Sequence, residues 1–292
     1  MGLELHALNL IKFVGRHRAL GAVATIGRQT LALAPAVRAT EQIAADEQYC
    51  ELMLLRMGAS EVDSYDVSDY EQATHVADFN RPLAPEKKYD TVFDFGSLEH
   101  IFDQKQAFEN VRALAAEDAI VCHVLPVNNL AGHGLWQFCS DLLHEVYSAA
   151  NGFADTKVFY ASAMQFDYWY EAPSPQAGLR TQIASLEPVI LLAISRRTAD
   201  AAEPLKVMQT FYTEAWGTAE GAAKRRPTMR TRIKHRLNRL REGAPDLYLT
   251  IRNVATIGAL ATRRGSLAMS ARRSAFSRHS VIDLVARGFG GG

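Results

Sequence analysis

Cysteine is scarce: Cys50, Cys122 and Cys139 are the three in 292 residues, and no two form a C-x-x-C pair. That excludes a disulfide framework and a thiolate metal cluster, and the three read as buried thiols in a reducing compartment. No run of about 18 uncharged apolar residues occurs, which excludes a membrane-spanning helix of ordinary length. The opening MGLELHALNLIKFVGRHRAL lacks a small-residue cleavage site and reads as an amphipathic helix, so a soluble, cytoplasmic protein is expected. Metal motifs are missing too. There is no H-E-x-x-H, and Glu99 and His100 are chain neighbours rather than partners on one helix face, so no metal site is expected, a divalent ion on Asp90, Asp94 or Glu99 being the alternative that no motif supports. A nicotinamide-dependent oxidoreductase is disfavoured because no G-x-G-x-x-G lies near the first apolar run. No internal repeat is evident.

What the chain does have is apolar content and a divided charge. Hydrophobic residues make up 48%, enough for a full core with an appendage of about forty to eighty residues left over. The net charge of zero splits into 16 Lys+Arg against 29 Asp+Glu in residues 1–222, and 16 against 3 in residues 223–292. The boundary is therefore drawn at 222, with a main domain over 1–222 and a basic, partly helical extension over 223–292. Residues 223–243 set nine Lys+Arg around Met229, Ile233, Leu237 and Leu240 at helical spacing. Such a helix suits an anionic surface. The protein's own acidic body or that of another subunit is the most economical choice, with peripheral attachment to an anionic membrane surface next. Nucleic acid is the least favoured, since only Tyr248, Phe276 and Phe289 could stack on bases.

Along the main domain, short apolar runs alternate with helical patterns, which is the mark of an α/β protein with a mainly parallel sheet. Strands are expected at 22–27, 61–67, 74–80, 89–96, 119–126 (stopped by Pro126), 157–162 and 188–197, the last two forming an antiparallel edge. Helices are expected at 36–58, ending on Gly58, at 103–116 with Phe108, Val111 and Leu114 on one side, and at 135–150. His123 reads as a satisfied core residue and His144 as a helix-surface one.

The segment YDTVFDFGSLEHIFDQKQAFENVRALA, from Tyr89, is a hydrophobic strand, a small residue, Leu-Glu-His and a helix. In this it resembles the class I S-adenosylmethionine-dependent methyltransferases, with a glycine-rich first turn reduced to Thr25-Ile26-Gly27-Arg28-Gln29. The resemblance implies a Rossmann-like fold, mostly parallel with an antiparallel edge and helices on both faces, here followed by the basic extension. It implies S-adenosyl-L-methionine as cofactor, bound along the strand ends. Phe95 and Gly96 would approach its methionine part, although Gly96 has a second reading as a plain strand-to-helix turn. Asp66, with Val67 beside it and Asp63 behind, would hold the ribose hydroxyls, or else belongs to an acidic solvated loop. Asp78 and Phe79 match the adenine end. Gly27 would allow close backbone approach, and Arg28 would pair with a carboxylate of the cofactor or of the protein.

Methyl transfer to a hydroxyl calls for a base beside the acceptor. His133, in NNLAGHGLWQF, and His100 are the candidates, with Asn128, Asn129, Trp136 and Gln137 suited to a sugar or other small hydroxylated acceptor. His133 is equally readable as a helix cap or core residue. The resemblance also allows a protein without turnover, serving as a methyltransferase-like binding or assembly subunit.

Overall fold

Apolar runs and amphipathic segments assemble into a nine-stranded sheet with helices against both faces. The computed structural model describes residues 2–175, 181, 183–198, 204–210, 240–261, 267–269 and 276–290. Strands β1 (Gly21–Ile26), β2 (Ala59–Asp66), β3 (His75–Val76), β4 (Tyr89–Asp94) and β5 (Ala115–Asn128) pair in parallel. From β5 onward, β9 (Val189–Arg197), β6 (Phe153–Ser162), β7 (Tyr168–Glu171) and β11 (Ser277–Ser280) continue the sheet through antiparallel pairings. The order is β11-β7-β6-β9-β5-β4-β1-β2-β3. This is the Rossmann-like arrangement that the sequence implied, parallel in the middle with an antiparallel edge. A separate pair joins β8 (Ile183–Ser185) to β10 (Leu267–Met269).

Side-chain alternation divides the core into two layers. In β5, Ile120, Cys122 and Val124 join the layer beneath helix α1 (Leu5–Gly15), while Val121 and Leu125 join the layer beneath α4 (Gln104–Leu114). Asp103 caps α4, its carboxylate accepting from the Gln106 amide at 3.0 Å, and Phe108, Val111 and Leu114 are buried as their spacing predicted.

Several expectations need correction. The helix expected over 36–58 is two short ones, α2 (Pro35–Thr40) and α3 (Glu51–Arg56). Gln42 sits at φ 56, which ends a helix, and the Arg38 guanidinium then gathers the carbonyls of Ala44 and Glu47 at 3.0 and 2.5 Å. Pro126 does not stop its strand, which runs on to Asn128 through an irregularity in register. The helix expected over 135–150 begins only at Ser140, as α5 (Ser140–Val146). The preceding residues are engaged elsewhere, the amides of Leu135 and Trp136 donating to the Glu99 carbonyl at 2.8 and 3.2 Å. Cys50 and Cys122 are buried, but Cys139 is exposed. His144 is partly buried rather than on the helix surface.

Most of the basic helix expected over 223–243 lies outside the described residues. Beyond it come α6 (Pro245–Ala261), then β11, which pairs with β7, and α7 (Val281–Arg287). Phe289 packs edge-on against Phe13 of α1 at 6.0 Å and donates its amide to the Phe13 carbonyl. The end of the basic stretch thus completes the same sheet and covers its first helix. Among the described residues no helix is long and apolar enough to cross a membrane.

Candidate active site

The chain runs outward from β1 to β2 and β3, then returns to lay β4 and β5 on the other side of β1. Such a reversal opens a crevice beyond the carboxyl ends of the strands. A cleft of about 250 Å³ lies there, lined after β1 by Ile26 and Gly27, at the end of β2 by Tyr65, Asp66 and Val67, after β3 by Ala77 to Asn80, and after β4 by Ser97, His100 and Ile101. A larger groove of about 770 Å³ runs between α1 and α7 and holds none of the expected site residues.

Each turn around the cleft is held by a specific contact. Gly27 has φ +74, and a Cβ there would stand 2.4 Å from the Ser97 hydroxyl oxygen, so only glycine fits. Ser97 and Gln29 both donate to the Ile26 carbonyl, at 2.7 and 2.6 Å, tying the first turn to the fourth. Gly96, at φ +92, reverses the chain after β4. Asp94 steadies this turn, one carboxylate oxygen accepting from the Ser97 amide at 2.8 Å and the other meeting His123 Nδ1 at 2.8 Å. The second ring nitrogen of His123 meets the Tyr147 hydroxyl, so His123 is the satisfied core residue its apolar run suggested.

Of the residues named from sequence, Gly27, Asp66, Val67, Asp78, Phe79 and His100 line the cleft. The Asp66 carboxylate accepts weakly from the Arg28 and Ser68 amides at 3.3 and 3.4 Å, which aims it while leaving acceptor capacity. Asp78 accepts from the Asn80 amide and side chain at 2.9 and 2.8 Å. Asp63 is elsewhere, paired with Lys87 at 2.5 Å and accepting from the Tyr89 hydroxyl. Arg28 is not among the lining residues. Its guanidinium is taken by Glu51 at 2.7 Å, by the carbonyls of Glu71 and Gln72, and by the face of Tyr49 at 4.0 Å. It is the protein's own carboxylate that it pairs with. Phe95 is core, stacked on Phe93 at 5.1 Å, and Gly96 shapes the turn without lining the cleft.

His133 also stands back from the cleft, and its surroundings were not legible in the sequence. The loop after β5 folds over the one-turn 3-10 helix Leu98–His100, bringing His133 Nε2 to 3.5 Å and His100 Nε2 to 3.9 Å from Glu99 Oε1. Glu99 is fully buried. Burial, reinforced by the charge of Asp94, pushes its carboxyl up to about 8. Chain spacing does not disclose one juxtaposition made by the fold: the donor atoms of Glu99, His100 and His133 all lie within 4.8 Å of one another. Beside them an apolar rim is exposed, with Phe102 and Trp136 at 6.3 Å between ring centres. Ser97 and Ile101 were not among the expected site residues, although their position in the turn after β4 was the one available signal.

No protein-family model matches this chain, and no curated protein does. Among solved structures it is similar to the N-methyltransferase NodS from Bradyrhizobium japonicum, with a TM-score of 0.38, 12% identity, and 66% of this chain and 94% of NodS covered. It is also similar to YcgJ from Bacillus subtilis, with a TM-score of 0.39, 10% identity, and 67% and 99% covered. For the [4+2]-cyclase SpnF the values are 0.40, 12%, and 66% and 80%.

Proposed function

We propose that the chain is an S-adenosylmethionine-dependent methyltransferase acting on a hydroxyl of a sugar or other small hydroxylated acceptor. The observation that carries this reading is the Asp66 carboxylate at the carboxyl end of β2, lining a cleft at the point where strand order reverses. A fixed carboxylate there suits a vicinal ribose diol, which needs acceptors for two hydroxyl protons. Phe79 and Ile101 offer an apolar wall for an adenine ring, and Asp78 an acceptor for its amino group. The acceptor would approach over Phe102 and Trp136, with its reacting oxygen toward His100 and His133, the groups that manage its proton.

One observation favours a second reading, a methyltransferase-like binding or assembly subunit without turnover. Ser97 and Gln29 occupy the inside of the Gly27 turn, where a more glycine-rich loop would leave room for a ligand. Calorimetric titration with S-adenosylmethionine and S-adenosylhomocysteine separates the two. Micromolar binding of both supports the enzyme. No heat at high micromolar cofactor would sink it and leave the binding subunit, and binding of NAD instead would point to an oxidoreductase.

A further inference from the structure

We infer that Glu99, His100 and His133 form a binding site for a single divalent transition-metal ion at the edge of the cleft, which His100 lines. The inference begins with a buried group that lacks what burial requires. Glu99 is 0% exposed, and neither of its carboxylate oxygens makes a hydrogen bond; His133 Nε2 is likewise buried without one. Buried polar atoms are almost always paired, and a carboxylate left alone in the interior is among the costliest exceptions. These orphaned atoms face one another.

Their spacing is that of ligands. With metal–nitrogen and metal–oxygen bonds near 2.1 Å, two donors on a tetrahedral ion stand about 3.4 Å apart. The Glu99 to His133 separation is 3.5 Å and the Glu99 to His100 separation 3.9 Å. All three donors lie within 4.8 Å of one another, and binding one ion requires His100, whose side chain is half exposed, to rotate inward. The framework around them is built to hold this approach. The amides of Leu135 and Trp136 and the Trp136 indole clamp the loop to the carbonyls of Glu99 and Ile101. A Cβ on Gly134 would stand 2.7 Å from Glu99 Cγ, so glycine is what lets the loop close over the carboxylate.

Two imidazoles and one carboxylate are a borderline donor set that selects zinc, iron(II), manganese(II) or cobalt(II) over calcium and magnesium. Three protein ligands leave coordination positions free, and of the three His100 lines the cleft. An ion there would take an oxygen of the acceptor and lower the pKa of its hydroxyl, so that with both imidazoles serving as ligands the proton would leave to solvent and not to a histidine base. This part rests on the methyl-transfer reading above; the binding of the ion does not.

The test uses the full chain, stripped with chelator and titrated with Co2+ alone, following visible absorption and bound metal per chain. The expected result is one equivalent bound by the wild type, weakened at least tenfold in Glu99→Gln and in His133→Ala, and unchanged in His17→Ala, an exposed histidine outside the site. His100→Ala, at an exposed position, serves should either buried variant lose its circular dichroism spectrum, and it too should weaken binding. Absence of binding up to millimolar Co2+, or equal affinity in wild type and variants, would overturn the site. Co2+ binding without S-adenosylhomocysteine binding would keep the metal site and remove the methyl-transfer reading; cofactor binding without Co2+ binding would do the reverse.

Discussion

Acidification from pH 7 to pH 4 should cost the fold roughly 3 kcal/mol through one residue, His6. This imidazole lies fully buried on the inner face of α1. Its Nε2 donates to the Ser162 carbonyl at 2.9 Å, which fixes the neutral tautomer and leaves Nδ1 to accept from the Trp169 indole at 2.9 Å. A second proton would have to sit on Nδ1, opposite another N–H donor and away from water. Burial therefore drives its pKa from 6.5 down to about 4, against the smaller raising effect of the Ser162 bond.

The sign follows from which state takes the proton. Above pH 6.5 both folded and unfolded His6 are neutral and the contribution is complete. Between pH 6.5 and about 4 the unfolded chain binds a proton that the folded one refuses, so stability falls with pH. Below that window both states are protonated and the loss stops. Urea unfolding followed by circular dichroism at intervals from pH 7.5 to 4 measures the slope. His6→Gln keeps one donor and one acceptor without a titrating group, and its curve should be flatter by the same roughly 3 kcal/mol. Parallel curves for wild type and His6→Gln would refute the reasoning, as would a histidine resonance titrating near 6.5 in the folded protein.

Three further outcomes are expected. Asp66→Ala should weaken S-adenosylmethionine binding more than tenfold in calorimetry, since lost charge-assisted hydrogen bonds cost roughly 1.5–3 kcal/mol; unchanged affinity would show that the ribose lies elsewhere. Gly27→Ala should destabilise by about 1–3 kcal/mol through its positive φ and the clash with Ser97, and adding Ser97→Ala should restore part of the thermal midpoint by removing the clash alone. Tyr147→Phe should cost about 1–3 kcal/mol in urea unfolding, because it deprives the buried ring of His123 of its second partner.

The parts of the fold legible in the sequence are those whose burial pattern is local. In β4 and β5 consecutive apolar residues are needed for two covered faces, and in α4 one stripe suffices, so composition and period reveal them. The break in the crossover after β1 is not legible because alanine and leucine at helical spacing do not disclose that Arg38 will take the carbonyls of Ala44, Ala45 and Glu47. β11 was unreadable for the opposite reason. Ser277–Ser280 has no apolar alternation, and its pairing comes from what β7 offers: Tyr168 beneath the Arg278 guanidinium at 4.6 Å, and Glu171 for His279 at 2.9 Å.

The same distinction runs through the site. Acids at strand ends could be found from the strands alone, because an open parallel sheet exposes its carboxyl ends at the reversal of order: Asp66 is the last residue of β2 and Asp78 lies two residues past the end of β3. Glu99 could not be assessed that way. In the sequence it is the middle of the Leu-Glu-His turn after β4, next to His100 in the chain and 34 positions from His133. Its character is set by a loop that arrives later in the chain, whose Gly134 allows contact and whose Leu135 and Trp136 amides hold the turn shut. That closure buries the carboxylate with the imidazoles of His133 and His100 within 3.5 and 3.9 Å of Oε1. A chain that needed no more than a strand-to-helix turn would gain stability from an apolar residue at this buried position. That it keeps a carboxyl group with Oε1 beside His133 and His100 is an arrangement that stability alone does not explain.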